Sequence, residues 1–486
     1  MSERIQQVRN TLIYMVPMGV KLVVPLITIP LLTRRISPEE YGVLSLAMVY
    51  AVFMGGLASV GVPVALERNY FLYTDDSRRL GALLASCLSF MLFNFFAIFA
   101  ITYLYKDEIS GLLTGSKING PIILTALAAN FFYNTIVSLF YTYFKNGNDA
   151  KSFSVFMSIT ALINLFLTLY YVIYNDQGAF GIVLSQLVTG IIIFVALIVY
   201  YSNMLHFSIS KELLMSSLKV GYPLTPRIVL NIINSHFDKY ILGLLNTVDG
   251  VGIYHIGKRI AEIGFNITTS IQNVYNPYIY RKMFANQTDN RELIGVYLTP
   301  IIFTSVLVQM IIALFSEEII ALLTPPNFHT AAPIVSIISM YYGFSILSKV
   351  AGTQFVFMKK LYVTLILSVI SMIINIGLNI PLILNYGLNG AAIGTLFAGI
   401  ISGILSVILA QRIYRIGYEY KKLTIMFTIF YVSSTIIAML VIFDYPYSYK
   451  FYVKTISLIV YFTFGYRLNI ISWANIQLVK SSIWAK

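Results

Sequence analysis

Charge is scarce in this sequence. Its 486 residues include 33 Lys+Arg and 20 Asp+Glu, or 11% charged, against roughly 25% for a soluble globular protein. So few charges cannot clothe a water-facing surface. An ordinary soluble domain, a disordered chain and a basic nucleic-acid-binding domain are all excluded, and no nucleic-acid partner is expected. Cysteine is nearly absent: Cys87 stands alone in an apolar run, which excludes a disulfide framework and a cysteine metal cluster. His206, His236, His255 and His329 have no ligand spacing, so no metal is assigned. The glycine patterns that cradle nucleotide phosphates are missing, as are loops long enough to fold alone, so no ATP-driven engine is built in.

What is abundant is hydrocarbon. Apolar residues make up 58% of the chain and mean hydropathy is +0.79. Apolar stretches of about 20 residues, the length that spans a bilayer as a helix, recur from Leu12–Leu32 to Tyr449–Phe464. They are separated by short breaks of charge, Gly, Pro or Asn. Fourteen such stretches predict an all-α integral membrane protein, because in lipid the backbone must satisfy its own hydrogen bonds and the runs are too long for barrel strands. The first run is too long for a secretory signal and lacks a small-residue cleavage site, so it reads as a retained helix. Basic residues gather in the segments of one side, while only Arg34, Arg35, Lys106, Lys117 and Lys450 fall on the other. That bias predicts cytoplasmic N and C termini.

The chain echoes itself at a shift of about 210 positions. Asn164 answers Asn375, Gly178-Ala179 answers Gly390-Ala391, Phe144-Lys145 answers Met358-Lys359-Lys360, and Tyr41-Gly42-Val43 answers Val251-Gly252-Ile253. The predicted layout is a six-helix lobe over 1–210, a pseudo-symmetric six-helix lobe over 211–420, and two further helices with a tail over 421–486. An offset of six spans gives both lobes the same orientation and predicts a central cavity between them. Pro17, Pro25 and Pro30 interrupt the first helix as Pro223 and Pro226 interrupt the seventh, and such paired interruptions mark the substrate site and moving parts.

Ser37-Pro38-Glu39-Glu40 could be an acidic site, but it reads better as a helix capping box. The charges inside apolar spans matter more. Lys21, Arg227, Lys239, Lys258, Arg259, Lys349 and Lys454 outnumber Asp238 and Glu262 there. Each costs about 2.5–3.5 kcal/mol at bilayer depth even on the lenient scale, so each should face protein or water.

Helical spacing groups them into polar faces: Arg227, Asn231, Asn234 and Asp238; His255, Arg259, Glu262, Asn266, Thr269 and Asn273; Asn130, Asn134 and Ser138; Tyr342, Ser345, Lys349 and Thr353. Glu262 either neutralises Lys258 or Arg259 or carries a coupling ion. Asp238 beside Lys239 reads equally as a surface pair or a coupling carboxylate, and Lys454 as a snorkelling interfacial lysine. Lys21, Arg227 and Lys349 have no carboxylate within helical reach. An unpaired cationic cavity suits an anionic cargo, gripped by charge-assisted hydrogen bonds.

Two stretches carry a family likeness. They are Pro25-Leu26-Ile27 through Leu32-Thr33-Arg34 into Ile36-Ser37-Pro38-Glu39-Glu40-Tyr41-Gly42, and Phe237-Asp238-Lys239-Tyr240-Ile241-Leu242-Gly243 followed by Val251-Gly252-Ile253-Tyr254. With the length and helix count, they resemble the polysaccharide-transport branch of the multidrug/oligosaccharidyl-lipid/polysaccharide (MOP) exporter superfamily, above all the Wzx-type O-antigen flippases.

The resemblance implies a MATE-like fold in a bacterial inner membrane and a non-enzymatic flippase. Its cargo would be an undecaprenyl-diphosphate-linked oligosaccharide carried to the outer leaflet. A polysaccharide polymerase and a chain-length regulator would be its partners beside membrane lipids. It also implies that Lys21, Arg227, Arg259, Lys349 and Lys258 engage the diphosphate, among cavity-lining Asn134, Asn231, Asn234, His255 and Asn266. No cofactor is expected; H+ or Na+ coupling through Asp238 or Glu262 stays open. The rival readings are a lipid II or multidrug exporter of the same fold, and a membrane polysaccharide polymerase.

Overall fold

A computed structural model describes residues 3–73, 76–147, 149–202, 209–284 and 288–470. The elements are helices throughout: α1 (Glu3–Thr33), α2 (Pro38–Ser59), α3 (Val62–Tyr70), α4 (Ser77–Leu104), α5 (Lys106–Thr114), α6 (Gly120–Ala129), α7 (Val137–Asn146), α8 (Ala150–Leu169), α9 (Gly178–Tyr200), α10 (Lys211–Leu245), α11 (Val248–Phe284), α12 (Thr288–Leu314), α13 (Ser316–Leu323), α14 (Ala332–Phe357), α15 (Leu361–Ile413), α16 (Tyr420–Ile442) and α17 (Tyr447–Arg467).

Among the described residues nine helices are long and apolar enough to cross a bilayer. One of them, the 53-residue α15, is two spans in one: Gly387 sits at φ 54, ψ −127 and breaks it into two arms. The more polar α1, α10, α11 and α17, of 31, 35, 37 and 21 residues, have the length of a span and complete the fourteen. The protein is therefore an all-α, multi-pass membrane protein.

Local sequence explains the helix ends. Ser37 caps α2: its backbone N–H donates to Glu40 Oε2 at 3.0 Å while Glu40 N–H donates to Ser37 Oγ at 3.2 Å. With Pro38 in the first turn this is the capping box expected from sequence. Pro17, Pro25 and Pro30 lie inside α1, and Pro223 and Pro226 inside α10. Each deletes a backbone bond at a cost of about 3 kcal/mol in an ordinary helix interior; in membrane helices neighbours re-satisfy the freed carbonyls. Two helices widen into π turns, at Asn130–Ile136 between α6 and α7 and at Tyr170–Tyr174 after α8.

By packing, the chain falls into two compact units, residues 1–252 and 253–486. This division follows contacts and need not coincide with the repeat boundary read from sequence. In the first unit α2 packs on α6 and α10, and α1 on α8. Its buried core is aromatic: Phe95 stacks on Phe131 at 4.0 Å, and Phe140 and Phe144 lie against Tyr201. Gly42 on α2 and Gly252 on α11, members of the sequence echo, let two helix starts touch. A Cβ on Gly42 would stand 1.8 Å from Val248 O, and one on Gly252 1.9 Å from Pro38 O. Small residues at such crossings are what let membrane helices close up without a hydrophobic driving force. In the second unit α14 is central, packing on α12, α15 and α16, with α17 outside α16.

Candidate functional site

In the second unit, α11 and α14 face each other with their predicted polar faces. Lys349 Nζ donates to Thr269 Oγ1 at 2.6 Å and lies 3.8 Å from the centroid of the Phe265 ring. Two turns along α14, Tyr342 Oη donates to Glu262 Oε1 at 3.2 Å, and the Tyr342 and Phe265 rings are 4.7 Å apart. One ladder thus runs from an anionic group at Glu262, through two aromatic rings, to a cation at Lys349.

Lys349 is half-buried and has no ion pair among the described residues. An ammonium has three donors; Thr269 takes one and the Phe265 face supplies a cation–π contact. The remaining hydrogen-bonding capacity, held by two neighbours in fixed geometry, is suited to an anion.

Arg259, one turn before Glu262, is half-buried and likewise without an ion pair among the described residues. Lys258 is half-buried, its ammonium 5.9 Å from the centroid of the Tyr254 ring. His255 is half-buried and Asn266 exposed.

In the first unit Arg227 is half-buried, also with no ion pair among the described residues. Along α10 follow exposed Asn231, half-buried Asn234 and buried Asp238. Asp238 is only 2% exposed and Lys239 8%, so the surface-pair reading gives way to two buried charged groups. Asp238 Oδ1 accepts the Lys239 backbone N–H at 2.9 Å.

Asn134 is exposed and donates to Asn130 Oδ1 at 3.1 Å within the π turn, while Asn130 Nδ2 donates to Ala51 O at 3.0 Å. The widened turn exists where an asparagine takes a carbonyl of a neighbouring helix, a frequent setting for π turns at functional sites. The side chain of Lys21 lies outside the described residues.

Sequence reasoning missed a second polar cluster in the second unit. Lys454 on α17 is 1% exposed and pairs with Glu318 on α13, which also accepts Tyr447 Oη at 2.8 Å. Lys450, 3% exposed, bonds Glu317 at 2.9 Å. This corrects the reading of Lys454 as a snorkelling lysine: its charge is met by a carboxylate inside the protein. The available signal was the four-residue interval that puts Lys450 and Lys454 on one face of α17, with Lys454 inside an apolar span where an unpaired charge is costly.

A family model described as polysaccharide biosynthesis protein matches residues 7–283. No curated protein matches the sequence. Among solved structures, the lipid II flippase MurJ in an inward closed conformation is similar at TM-score 0.66 and 16% identity, over 94% of this chain and 100% of that one. An outward-facing MATE-family multidrug resistance transporter of the MOP superfamily is similar at TM-score 0.58 and 15% identity, over 84% and 95%. A MOP-superfamily transporter from Pyrococcus furiosus, described as having a binding pocket of reverse polarity, gives 0.59 and 15% over the same shares. At such identities the likeness is one of fold.

Proposed function

We propose a transport role for this chain, which belongs to the polysaccharide biosynthesis protein family of MOP-superfamily exporters: it flips an undecaprenyl-diphosphate-linked oligosaccharide, an O-antigen or related repeat unit, from the inner to the outer leaflet of a bacterial plasma membrane. The observation that carries this reading is Lys349, a half-buried ammonium held by Thr269 and Phe265 with no carboxylate bound to it among the described residues.

A diphosphate and hydrated sugars cannot enter hydrocarbon about 30 Å thick, because desolvating even one isolated ion costs tens of kcal/mol by Born estimates. Cations in a wet path remove most of that cost, and the polyprenyl tail stays in lipid. Lys349, Arg259 and Lys258 in the second unit, with Arg227 and Lys21 in the first, are the groups assigned to the diphosphate.

The mechanism is alternating access, the cationic groups meeting the cargo from the cytoplasmic side and releasing it on the outer side. Outward movement of an anion down an inside-negative potential gains about 2.3 kcal/mol per charge per 100 mV. Glu262, bonded to Tyr342, and buried Asp238 are the carriers for H+ or Na+ if a gradient adds to this. The likeness to a lipid II flippase favours a second cargo reading, lipid II itself.

The test is deletion of the gene followed by mass analysis of accumulated lipid-linked glycan, with complementation by wild type, Lys349→Ala, Arg227→Ala and the double variant. The flippase reading expects single repeat units stranded on inner-leaflet carrier lipid, cleared by wild type and not by the double variant. A double variant that clears them at the wild-type rate overturns the site assignment. Stranded lipid II in place of repeat units establishes the second cargo, and repeat units already transferred to the outer acceptor indicate a lost polymerase instead.

A further inference from the structure

Three arginines that the transport reading does not use stand around one cavity of about 580 Å³ in the second unit. Arg291 lies near the start of α12, Arg412 in the last turn of α15, and Arg415 in the link to α16. None has an ion pair among the described residues; of the acids on these segments, Glu419 is taken by Lys422 at 2.6 Å, and Glu292, next to Arg291 and packed against Gly417, forms no ion pair with the three among the described residues. The lysine and arginine bias of the sequence assigns this end to the cytoplasm, and Lys359 and Lys360 add to it.

The link carrying Arg415 is built rather than loose. Gln411 donates to Ile416 O at 3.2 Å and accepts from Ile416 N at 2.9 Å. Gln354 Nε2 donates to Tyr414 O at 2.6 Å, and Gly417 N donates to Arg291 O at 3.0 Å. Tyr414 and Ile416 are 6% and 1% exposed. The Arg291 guanidinium stands 5.1 Å over the Tyr414 ring, which orients it.

Three like charges around one cavity repel unless an anion joins them, and planar guanidinium forks match phosphate oxygens two at a time. The other wall is apolar. Phe357 packs edge-on against Phe284 at 4.9 Å and Tyr414 at 5.2 Å, and Phe284 is 74% exposed at the rim. A cationic head beside an aromatic, outward-open floor fits an amphiphile at the membrane–water boundary.

We propose that Arg291, Arg412 and Arg415 form a phosphate-binding site, whose ligand is the phosphate ester of an anionic lipid headgroup or a soluble phosphate of the same chemistry. The site is independent of the transported cargo: it uses none of the residues assigned to the diphosphate.

The experiment uses the full chain in nanodiscs, read by native mass spectrometry and by melting temperature. One arm compares phosphatidylcholine discs with discs containing phosphatidylglycerol. The other adds millimolar inorganic phosphate to phosphatidylcholine discs, against chloride at equal ionic strength. The expected result is phosphatidylglycerol retained about tenfold more by wild type than by R291Q/R412Q/R415Q, with phosphatidylcholine retained equally, as losing one or two charge-assisted bonds implies. Stabilisation of wild type alone by inorganic phosphate, without lipid preference, keeps the site and makes its ligand soluble. If neither ligand separates the triple variant from wild type, the proposal fails. R412Q and R415Q, singly at exposed positions, serve if the triple variant does not fold: each should weaken retention severalfold, and unchanged retention in both overturns the site.

Discussion

The buried clamp between α13 and α17 allows a quantitative test. Glu318→Gln removes the negative charge while keeping shape, and leaves the Lys454 ammonium, 1% exposed, with an amide and the Phe315 and Tyr447 rings at 5.6 and 5.1 Å. Breaking a buried pair from one side costs about 3–5 kcal/mol. Because Glu318 itself is 32% exposed, water screens part of that, and about 2–3 kcal/mol is the expected loss.

Lys454→Met removes the buried ammonium, and its orphaned carboxylate keeps the Tyr447 hydroxyl at 2.8 Å, so it should cost less, about 1–2 kcal/mol. The double variant replaces the pair by neutral groups of similar volume and should return to within about 1 kcal/mol of wild type. The coupling energy, the summed single losses less the loss in the double variant, would then be about 2–5 kcal/mol. Equilibrium unfolding in mixed micelles measures all four proteins. Loss in the double variant equal to the sum of the singles would refute the argument, since it would mean that neither partner senses the other.

Further expectations follow from the same geometry. Burial works to raise the Glu318 carboxyl, but the bonds from Lys454 and Tyr447 outweigh it and hold the group below its usual range. The stability this confers is therefore present above the ordinary carboxylate value of about 4.3 and is lost as pH falls through the lower folded value. The stability gap between wild type and Glu318→Gln should be constant from about pH 7 to 5 and shrink below about pH 4; a gap that widens in acid would reverse the sign. Lys349→Met should lower flipping about tenfold or more while Lys349→Arg retains part of it, and Thr269→Ala, which removes the 2.6 Å bond, should cost about threefold. Flux assays in vesicles check these, and equal rates for the Met and Arg variants would show that charge at this position is irrelevant. Gly42→Ala would place a methyl 1.8 Å from Val248 O; the overpacking should cost about 1–3 kcal/mol or more and lower folded yield, whereas wild-type melting would show that this crossing yields freely.

How much of this was legible in the sequence depends on the range of the interaction. Features within one helix were readable: the hydropathy of the spans, the Ser37 cap, the prolines of α1 and α10, and the seven-residue interval that puts Tyr342 and Lys349 on one face of α14 and Glu262 and Thr269 on one face of α11. Period alone fixes these, because side chains three and four apart share a side.

Partners across helices were not readable. The face containing Thr269 was predicted, but that Thr269 receives Lys349 and that Phe265 lies beneath the ammonium depend on how α11 and α14 pack, and apolar Phe265 gives no polar signal. Nothing in the local sequence of Glu317 and Glu318 names their partners, and only folding brings them to lysines more than 130 positions away. The same holds for Arg412 and Arg415. Read singly they set topology, and only the fixed link from Gln411 to Gly417 makes them walls of a cavity. In lipid, where no hydrophobic force between helices selects the pairing, such polar contacts act together with close packing at small and aromatic residues in selecting which faces meet. Sequence periodicity marks the faces, and the burial cost of each unmatched charge predicts that a partner exists, but the identity of the partner is a property of the three-dimensional packing.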